Sequence, residues 1–92
     1  MKYLLEYYII LKIIKNHDGI TRYALMIKTR KAGYSVVIGH FYSLIKDMEK
    51  EGYIIIKPLK RKYSYSVSIT NKGLSKYSKL EFEIREILGK VI

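Results

Sequence analysis

The chain from residue 35 to residue 56 reads SVVIGHFYSLIKDMEKEGYIII and carries most of the information on the fold. On a helix of 100° per residue its apolar side chains fall within one stripe, which predicts a third helix from an N-cap at Ser35 to Glu51. The stripe comprises Val37, Ile38, Phe41, Leu44, Ile45 and Met48. Gly52 ends this helix, since glycine readily adopts the left-handed conformation that follows a last turn. Residues 53–56 then form an apolar run that predicts a strand.

Two helices are predicted before this stretch. The first runs from about Lys2 to Lys15, and the turn residues at positions 16–19 end it. The second has Thr21 as its N-cap and extends to about Lys31, with Gly33 as the left-handed residue after its last turn. Three helices in about fifty residues leave only short turns between them.

The chain after Gly52 changes to a strand-like period. Residues 63–70 alternate apolar with Ser or Thr, and Pro58 lies in the basic segment that joins them to residues 53–56, so a hairpin is predicted. Thr70 caps a last helix from about Asn71 to Leu88. We therefore predict an α+β fold, a winged helix-turn-helix with three helices, a two-stranded β-hairpin wing and a C-terminal helix, as one domain over residues 1–92.

The composition excludes several classes of function. The 92 residues carry a net charge of +10, and 49% are hydrophobic, which indicates a folded basic module. No Cys is present, and His17 and His40 are isolated, so no metal site and no thiolate chemistry are predicted. The sequence has no Gly-rich phosphate loop and no paired carboxylates at motif spacing; we therefore predict no catalytic residues, no cofactor and no enzymatic activity.

The N-terminal apolar segment and the amino-acid composition indicate where in the cell the protein is located and what kind of organism it comes from. The segment is too short to span a bilayer and is interrupted by Glu6 and Lys12, so we expect a cytoplasmic protein with no membrane partner. Ten Tyr and the absence of Cys are typical of a thermophile, although an AT-rich genome leaves a similar trace.

Basic residues are separated from acidic ones along the chain. No Asp or Glu occurs between Gly19 and Lys46 or between Gly52 and Leu80, which predicts a positive surface around the third helix and the hairpin. Cations there suit the neutralisation of DNA phosphates, although a solvated basic loop is the alternative. The predicted phosphate-contacting residues are Arg22, Lys28, Arg30, Lys46, Lys57, Lys60, Arg61 and Lys62.

The face of the third helix opposite the apolar stripe carries small and hydrogen-bonding side chains. Such a face suits a helix that enters the major groove, and an ordinary solvated face is the alternative. The predicted contacts to base edges are Ser35, Val36, Gly39, His40, Tyr42 and Ser43.

The first and last helices are more apolar than one small protomer needs, which predicts a homodimer; packing of these helices within their own protomer is the alternative. The predicted interface comprises Leu4, Tyr8, Leu11, Tyr77, Leu80, Ile84, Ile87 and Val91.

Residues 39–54 and 63–73, with Tyr23-Ala24-Leu25 as a weaker match, resemble the winged-helix transcription regulators of the PadR family and, more distantly, MarR-type repressors. Small winged-helix proteins of archaea and their viruses look similar in size and composition. The resemblance implies a minimal form of the family, without a larger C-terminal domain.

Charge, faces and resemblance together predict a homodimeric, sequence-specific regulator of transcription that binds double-stranded DNA. A winged-helix component that contacts another protein or coats nucleic acid without sequence preference is the alternative. The operator and any small-molecule effector stay open.

Overall fold

The computed structural model describes residues 4–91, which form four α-helices and three β-strands. The helices are α1 (Leu4–Asn16), α2 (Arg22–Lys31), α3 (Ile38–Lys50) and α4 (Asn71–Val91), and the strands are β1 (Ile20–Thr21), β2 (Ile54–Pro58) and β3 (Tyr65–Ile69). The predicted α+β fold, with three helices before a hairpin and one helix after it, is confirmed. The predicted start of the first helix at Lys2 lies outside the described residues.

The strands form an antiparallel sheet in the order β1-β3-β2, so the returning strand of the hairpin is central. Val67, at the middle of β3, pairs with Ile20 on one side and Ile56 on the other and is fully buried. The sequence did not predict β1, because two residues are too few for a periodic signal. Strand β1 connects the hairpin to the turn after α1. In this turn the Asp18 carboxylate accepts a hydrogen bond from the Ile69 N–H at 3.2 Å.

The second and third helices end in the same backbone motif. Gly33 and Gly52 follow α2 and α3 with φ values of 95° and 85°, in the left-handed region that favours glycine. After α3, the N–H of Gly52 donates to the Glu49 carbonyl and the N–H of Tyr53 to the Met48 carbonyl, each at 3.0 Å. These bonds satisfy two helix-end carbonyls and direct the chain straight into β2.

The predicted start of the third helix at Ser35 is wrong. α3 begins at Ile38, and its N-cap is Val37, which has an extended backbone and no side-chain cap. The guanidinium of Arg30 donates to the carbonyl of Val36 at 3.2 and 3.3 Å, which helps to hold the residues before α3 in an extended conformation. The burial predicted for the two valines is therefore reversed. Val36, which was predicted to face a partner, is only 6% exposed, whereas Val37, which was predicted to be in the core, is 72% exposed.

One hydrophobic core joins all four helices to the inner side of β2 and β3. Each element contributes side chains because each has an apolar face that must be covered. The buried apolar residues are Ile10, Leu11, Ile14, Leu25, Met26, Val36, Phe41, Leu44, Ile45, Met48, Ile54, Val67, Tyr77 and Leu80.

The start of α4 packs tightly on the turn between α3 and β2. The predicted cap is confirmed, since the Thr70 hydroxyl accepts from the Gly73 N–H at 2.9 Å and donates to the Gly52 carbonyl at 2.6 Å. A Cβ at Gly73 would lie 2.8 Å from Cγ1 of Ile69 and would collide with the backbone carbonyl of Tyr53. Glycine is therefore required at this position by the close approach of two backbones.

Candidate nucleic-acid interface

The exposed part of α3 lies at its N-terminal half and along one side. Gly39, Ser43 and Lys46 are exposed there, as the sequence predicted, and His40 and Tyr42 are half-buried. Ser35 is exposed as well, but in the extended segment before the helix. Val36 is buried, so its predicted place among the side chains that face a partner is wrong.

Two apolar side chains at the start of α3 are exposed although the sequence assigned them to the core. Val37 is 72% exposed and Ile38 is 50% exposed. The helical period placed both in the buried stripe because the helix was expected to begin earlier, at Ser35. At the N-terminus of a helix that enters the major groove, apolar side chains can contact the methyl group of thymine.

Cations surround this part of α3 without acidic partners. Lys28 is exposed on α2, and Arg30 is exposed while its guanidinium also holds the segment before α3. None of the cations predicted to contact phosphates forms an ion pair with a carboxylate in residues 4–91. Their charge is therefore available to an anionic partner.

Arg22, the first residue of α2, occupies a position that the sequence did not predict. Its guanidinium carbon lies 4.6 Å from the ring centroid of Tyr42 on α3 and 4.3 Å from that of Tyr65 on β3. A cation between two aromatic faces is attracted by both rings. We call this arrangement the Tyr-Arg-Tyr stack; it joins α2, α3 and the hairpin through side chains alone.

Two clefts, both lined by Arg22, open at this stack. One has a volume of about 360 Å³ and lies between α3 and the hairpin, with Lys46 and Pro58 in its walls. The other has a volume of about 240 Å³ and extends toward the tip of the hairpin, with Arg61 and Tyr63 in its walls. The stack therefore lies in a groove between the helix and the hairpin, whose walls carry Arg22, Lys46 and Arg61 together with the acidic Glu49.

We refer to β2, β3 and the turn at residues 59–64 as the wing. Its turn is closed by hydrogen bonds from the Leu59 N–H to the Ser64 carbonyl at 2.8 Å and from the Ser64 N–H to the Arg61 carbonyl at 3.1 Å. The predicted basic tip is exposed as expected. Its four cations are Lys57, Lys60, Arg61 and Lys62.

Part of the predicted dimer interface is used inside the protomer. Leu11 and Leu80 are fully buried and Tyr77 is 9% exposed, so their assignment to an interface between subunits is wrong. The rings of Tyr8 and Tyr77 stack with centroids 5.3 Å apart, and both hydroxyls donate to Oε2 of Glu81, at 3.2 and 2.9 Å. The apolar seam of α4 up to Leu80 thus packs against α1 of the same chain.

This cluster shifts two pKa values in opposite directions. The hydrogen bond from Tyr77 lowers the pKa of Glu81 below its ordinary value, because the phenol stabilises the carboxylate. Burial, together with the hydrogen bond to Glu81, raises the pKa of Tyr77. At neutral pH both groups therefore hold the protonation states that their hydrogen bond requires.

Beyond Leu80 the character of α4 changes. The helix continues through Gly89 to Val91, past the predicted end at Leu88, and its last turns leave large apolar side chains exposed. Half-buried or exposed members of the predicted interface are Leu4, Tyr8, Ile84, Ile87 and Val91. Leu88 beside them, and Phe82 on the opposite side of the helix, are exposed as well. None of the helices within residues 4–91 has both the length and the hydropathy that a bilayer span requires.

In the part of the chain that the structure describes, His, Asp and Glu side chains form no group of three or more that could hold a metal ion.

The fold can be compared with solved structures. The PcaV transcriptional regulator from Streptomyces coelicolor, solved with its natural ligand, matches 89% of this chain with a TM-score of 0.74 at 12% sequence identity. A MarR protein from Peptoclostridium difficile matches 94% of the chain with a TM-score of 0.73 at 26% identity. The chain has a winged-helix fold. A structure of a hsRosR-S1 complex also matches 89% of it, with a TM-score of 0.72 at 19% identity.

The winged-helix chain is short beside these structures. It covers 55% of the PcaV chain, 54% of the MarR chain and 73% of the hsRosR-S1 chain. No protein-family model matches the sequence, and no curated protein matches it. The more specific resemblance to the PadR family therefore stays a prediction.

Proposed function

We propose that this protein regulates transcription by binding double-stranded DNA, with α3 in the major groove and the wing on the flanking backbone or minor groove. The observation that carries the proposal is a set of cations on α2, α3 and the wing, grouped around one groove. The exposed side of α3 and the basic tip are joined through the Tyr-Arg-Tyr stack, and the predicted phosphate contacts have no carboxylate partner among the described residues. The names of the PcaV and MarR proteins agree with this role.

We assign the contacts with base edges to the start of α3 and the segment before it. Hydrogen bonds to base edges come from Ser35, His40, Tyr42 and Ser43, while Gly39 lets the helix backbone approach the groove. Val37 and Ile38 add apolar contacts, for which the methyl group of thymine is the matching partner. Cations around this helix position the protein on phosphates without reading sequence.

The experiment that tests this function is selection of bound duplexes from a random pool with the purified protein. Enrichment of a palindrome, with half-sites about 34 Å apart, is the expected result for a two-fold dimer. A gel shift that survives a large excess of random duplex confirms specificity. Recovery of duplexes without a common sequence would instead favour the coating function, and no recovery at all would contradict DNA binding.

The dimer that this geometry needs is proposed to form through the end of α4. Ile87 is 52% exposed and Val91 is 78% exposed, and both continue the face of α4 whose earlier turns are covered by α1. An apolar helix surface of this kind is typical of an interaction site. The resulting protomer contacts involve Ile87, Leu88 and Val91, with Leu4 and Ile84 at their edge.

The oligomeric state tests the dimer directly. We expect sedimentation at micromolar concentration to give a dimer for the wild type and a monomer for the double variant Ile87→Ser, Val91→Ser, because both changes remove apolar area from the same face of α4. Tyr23→Ser is the matched control, since Tyr23 is 65% exposed but lies on α2. A monomeric wild type would contradict the proposed dimer.

A further inference from the structure

The tip of the wing contains a residue with an unusual backbone. Tyr63 has a φ of 63°, in the left-handed region that residues with a Cβ rarely adopt. At the other positive-φ positions of residues 4–91 the chain has Gly19, Gly33 and Gly52. A glycine would fit the turn at position 63 without strain, so the tyrosine has a cost for folding that its side chain must offset in some other way.

Packing within the protein does not offset this strain. Tyr63 is 81% exposed, the highest value among the exposed large hydrophobic residues. The contact that its ring makes is with Nζ of Lys62, 5.3 Å from the ring centroid, and a single exposed cation–π pair contributes little to stability. The ring is therefore presented to solvent at the tip of the wing.

The surroundings of the ring indicate which partner it suits. Lys60, Arg61 and Lys62 precede Tyr63 directly, and no acidic residue occurs between Gly52 and Leu80. Tyr63 and Arg61 also line the 240 Å³ cleft that reaches Arg22 and Tyr42, so the ring lies at the edge of the same groove as α3. An exposed aromatic ring among unpaired cations matches a nucleic-acid groove, where phosphates attract the cations and sugars and bases cover the ring.

We propose that Tyr63 is a DNA-contacting residue of the wing, whose ring packs into the minor groove beside the major groove that α3 occupies. The cations of the tip bring the wing to the backbone, and the ring supplies an apolar contact with deoxyribose and base edges. The left-handed turn places this exposed ring at the tip, beside the cations. This inference rests on the proposed function, and it adds a contact that does not depend on charge.

The test compares Tyr63→Gly, Tyr63→Phe and Lys62→Ser in two measurements: the melting temperature without DNA, and the dissociation constant for the selected duplex as a function of salt. For Tyr63→Gly we expect a higher melting temperature, since glycine relieves the strain, together with about tenfold weaker binding. Its log–log salt slope stays that of the wild type because tyrosine neutralises no phosphate. Tyr63→Phe keeps the ring and binds within about twofold of the wild type.

A charge control distinguishes the effect of the Tyr63 ring on binding from the effect of the neighbouring cations. Lys62→Ser is expected to reduce the salt slope by about 1 for each bound subunit, and to leave the melting temperature unchanged. If Tyr63→Gly also reduced the slope, the ring would only shape the tip that carries the cations, and the inference would be overturned. Wild-type affinity in Tyr63→Gly would overturn it as well. Failure of the wild type to bind any duplex would overturn the proposed function itself, and this inference with it.

Discussion

The α1–α4 side of the molecule and the α3–wing side use their polar groups differently. On the first side the Glu81 carboxylate accepts hydrogen bonds from Tyr8 and Tyr77 and forms an ion pair with Arg85. These polar groups are thus paired with one another inside the protomer. On the second side no carboxylate bonds to the cations of α3 and the wing within residues 4–91, and the Arg22 guanidinium stacks on the rings of Tyr42 and Tyr65 instead. The difference indicates that the first side, which we call the scaffold, stabilises the protomer through an internal polar cluster, with the exposed end of α4 as its proposed dimer contact, whereas the second keeps its cations available to an anionic partner.

Substitutions on the two sides should therefore have different consequences. Changes on the scaffold side should alter the free energy of unfolding and leave the salt dependence of DNA binding unchanged. Replacement of the exposed lysines of the wing should do the reverse. The predictions below test this separation, beginning with the largest expected effect.

Gly73→Ala tests the scaffold most strongly. The added Cβ collides with the Tyr53 carbonyl, and forced repacking of this kind costs about 1 to 3 kcal/mol of unfolding free energy. Gly39→Ala is the matched control on α3, where an added Cβ meets nothing within 4 Å and alanine favours the helix by about 0.5 to 1 kcal/mol. Urea unfolding measures both. Equal effects of the two substitutions would contradict the close approach described for Gly73.

Arg22→Ala tests the connection between the two sides of the groove. Loss of the stack on Tyr42 and Tyr65 should cost about 1 kcal/mol of unfolding free energy. Hydrogen exchange of the Leu59 amide, which bonds to Ser64 across the tip, should accelerate because the wing is no longer held to α3. Lys28→Ala, an exposed cation on the same helix, is the control. Unchanged exchange in Arg22→Ala would show that the stack does not hold the wing.

The Glu81 carboxylate should make a smaller contribution to the free energy of unfolding, and this contribution should depend on pH. Because its pKa in the folded protein lies below the ordinary 4.5, the carboxylate contributes stability above that pH, and this contribution is lost as the pH falls through the lowered pKa. The raised pKa of Tyr77 has the opposite sign, so its contribution is present at neutral pH and is lost only as the pH rises well above 10.

Unfolding of the wild type and of Glu81→Gln, compared across pH, measures this effect. The difference in stability between the two proteins should shrink below pH 4.5, because the variant has no carboxylate to protonate. Glu86→Gln, on the exposed part of the same helix, should show no such trend. A difference that stays constant into acid would contradict the role of the Glu81 carboxylate.

Local signals account for the parts of the fold that the sequence predicted. Gly52 after an amphipathic helix and the alternation of residues 63–70 located α3, the hairpin and the Thr70 cap, because each depends on residues close together in the chain. The start of α3 was mispredicted since Ser35 is a good N-cap, whereas the extended segment depends on a bond from Arg30 to the Val36 carbonyl. That contact is tertiary and leaves no periodic signal.

The candidate binding surface was predicted in part for the same reason. Charge separation located the cations of α2, α3 and the wing, which require only their own positions in the sequence. The stack around Arg22 and the strained Tyr63 depend on how three elements meet and on one backbone angle. The seam on α4 was assigned to a dimer because periodicity identifies an apolar face but not the element that covers it.

The central claim is that the α3–wing side, rather than the overall charge of +10, binds DNA. The most direct measurement is the salt dependence of duplex affinity for two variants of equal charge: Lys60→Ser with Lys62→Ser in the wing, and Lys79→Ser with Lys90→Ser on α4. We predict that the wing variant lowers the log–log slope by about 2 for each bound subunit, whereas the α4 variant keeps the wild-type slope. Equal losses in both variants would contradict the claim, since net charge alone would then explain binding.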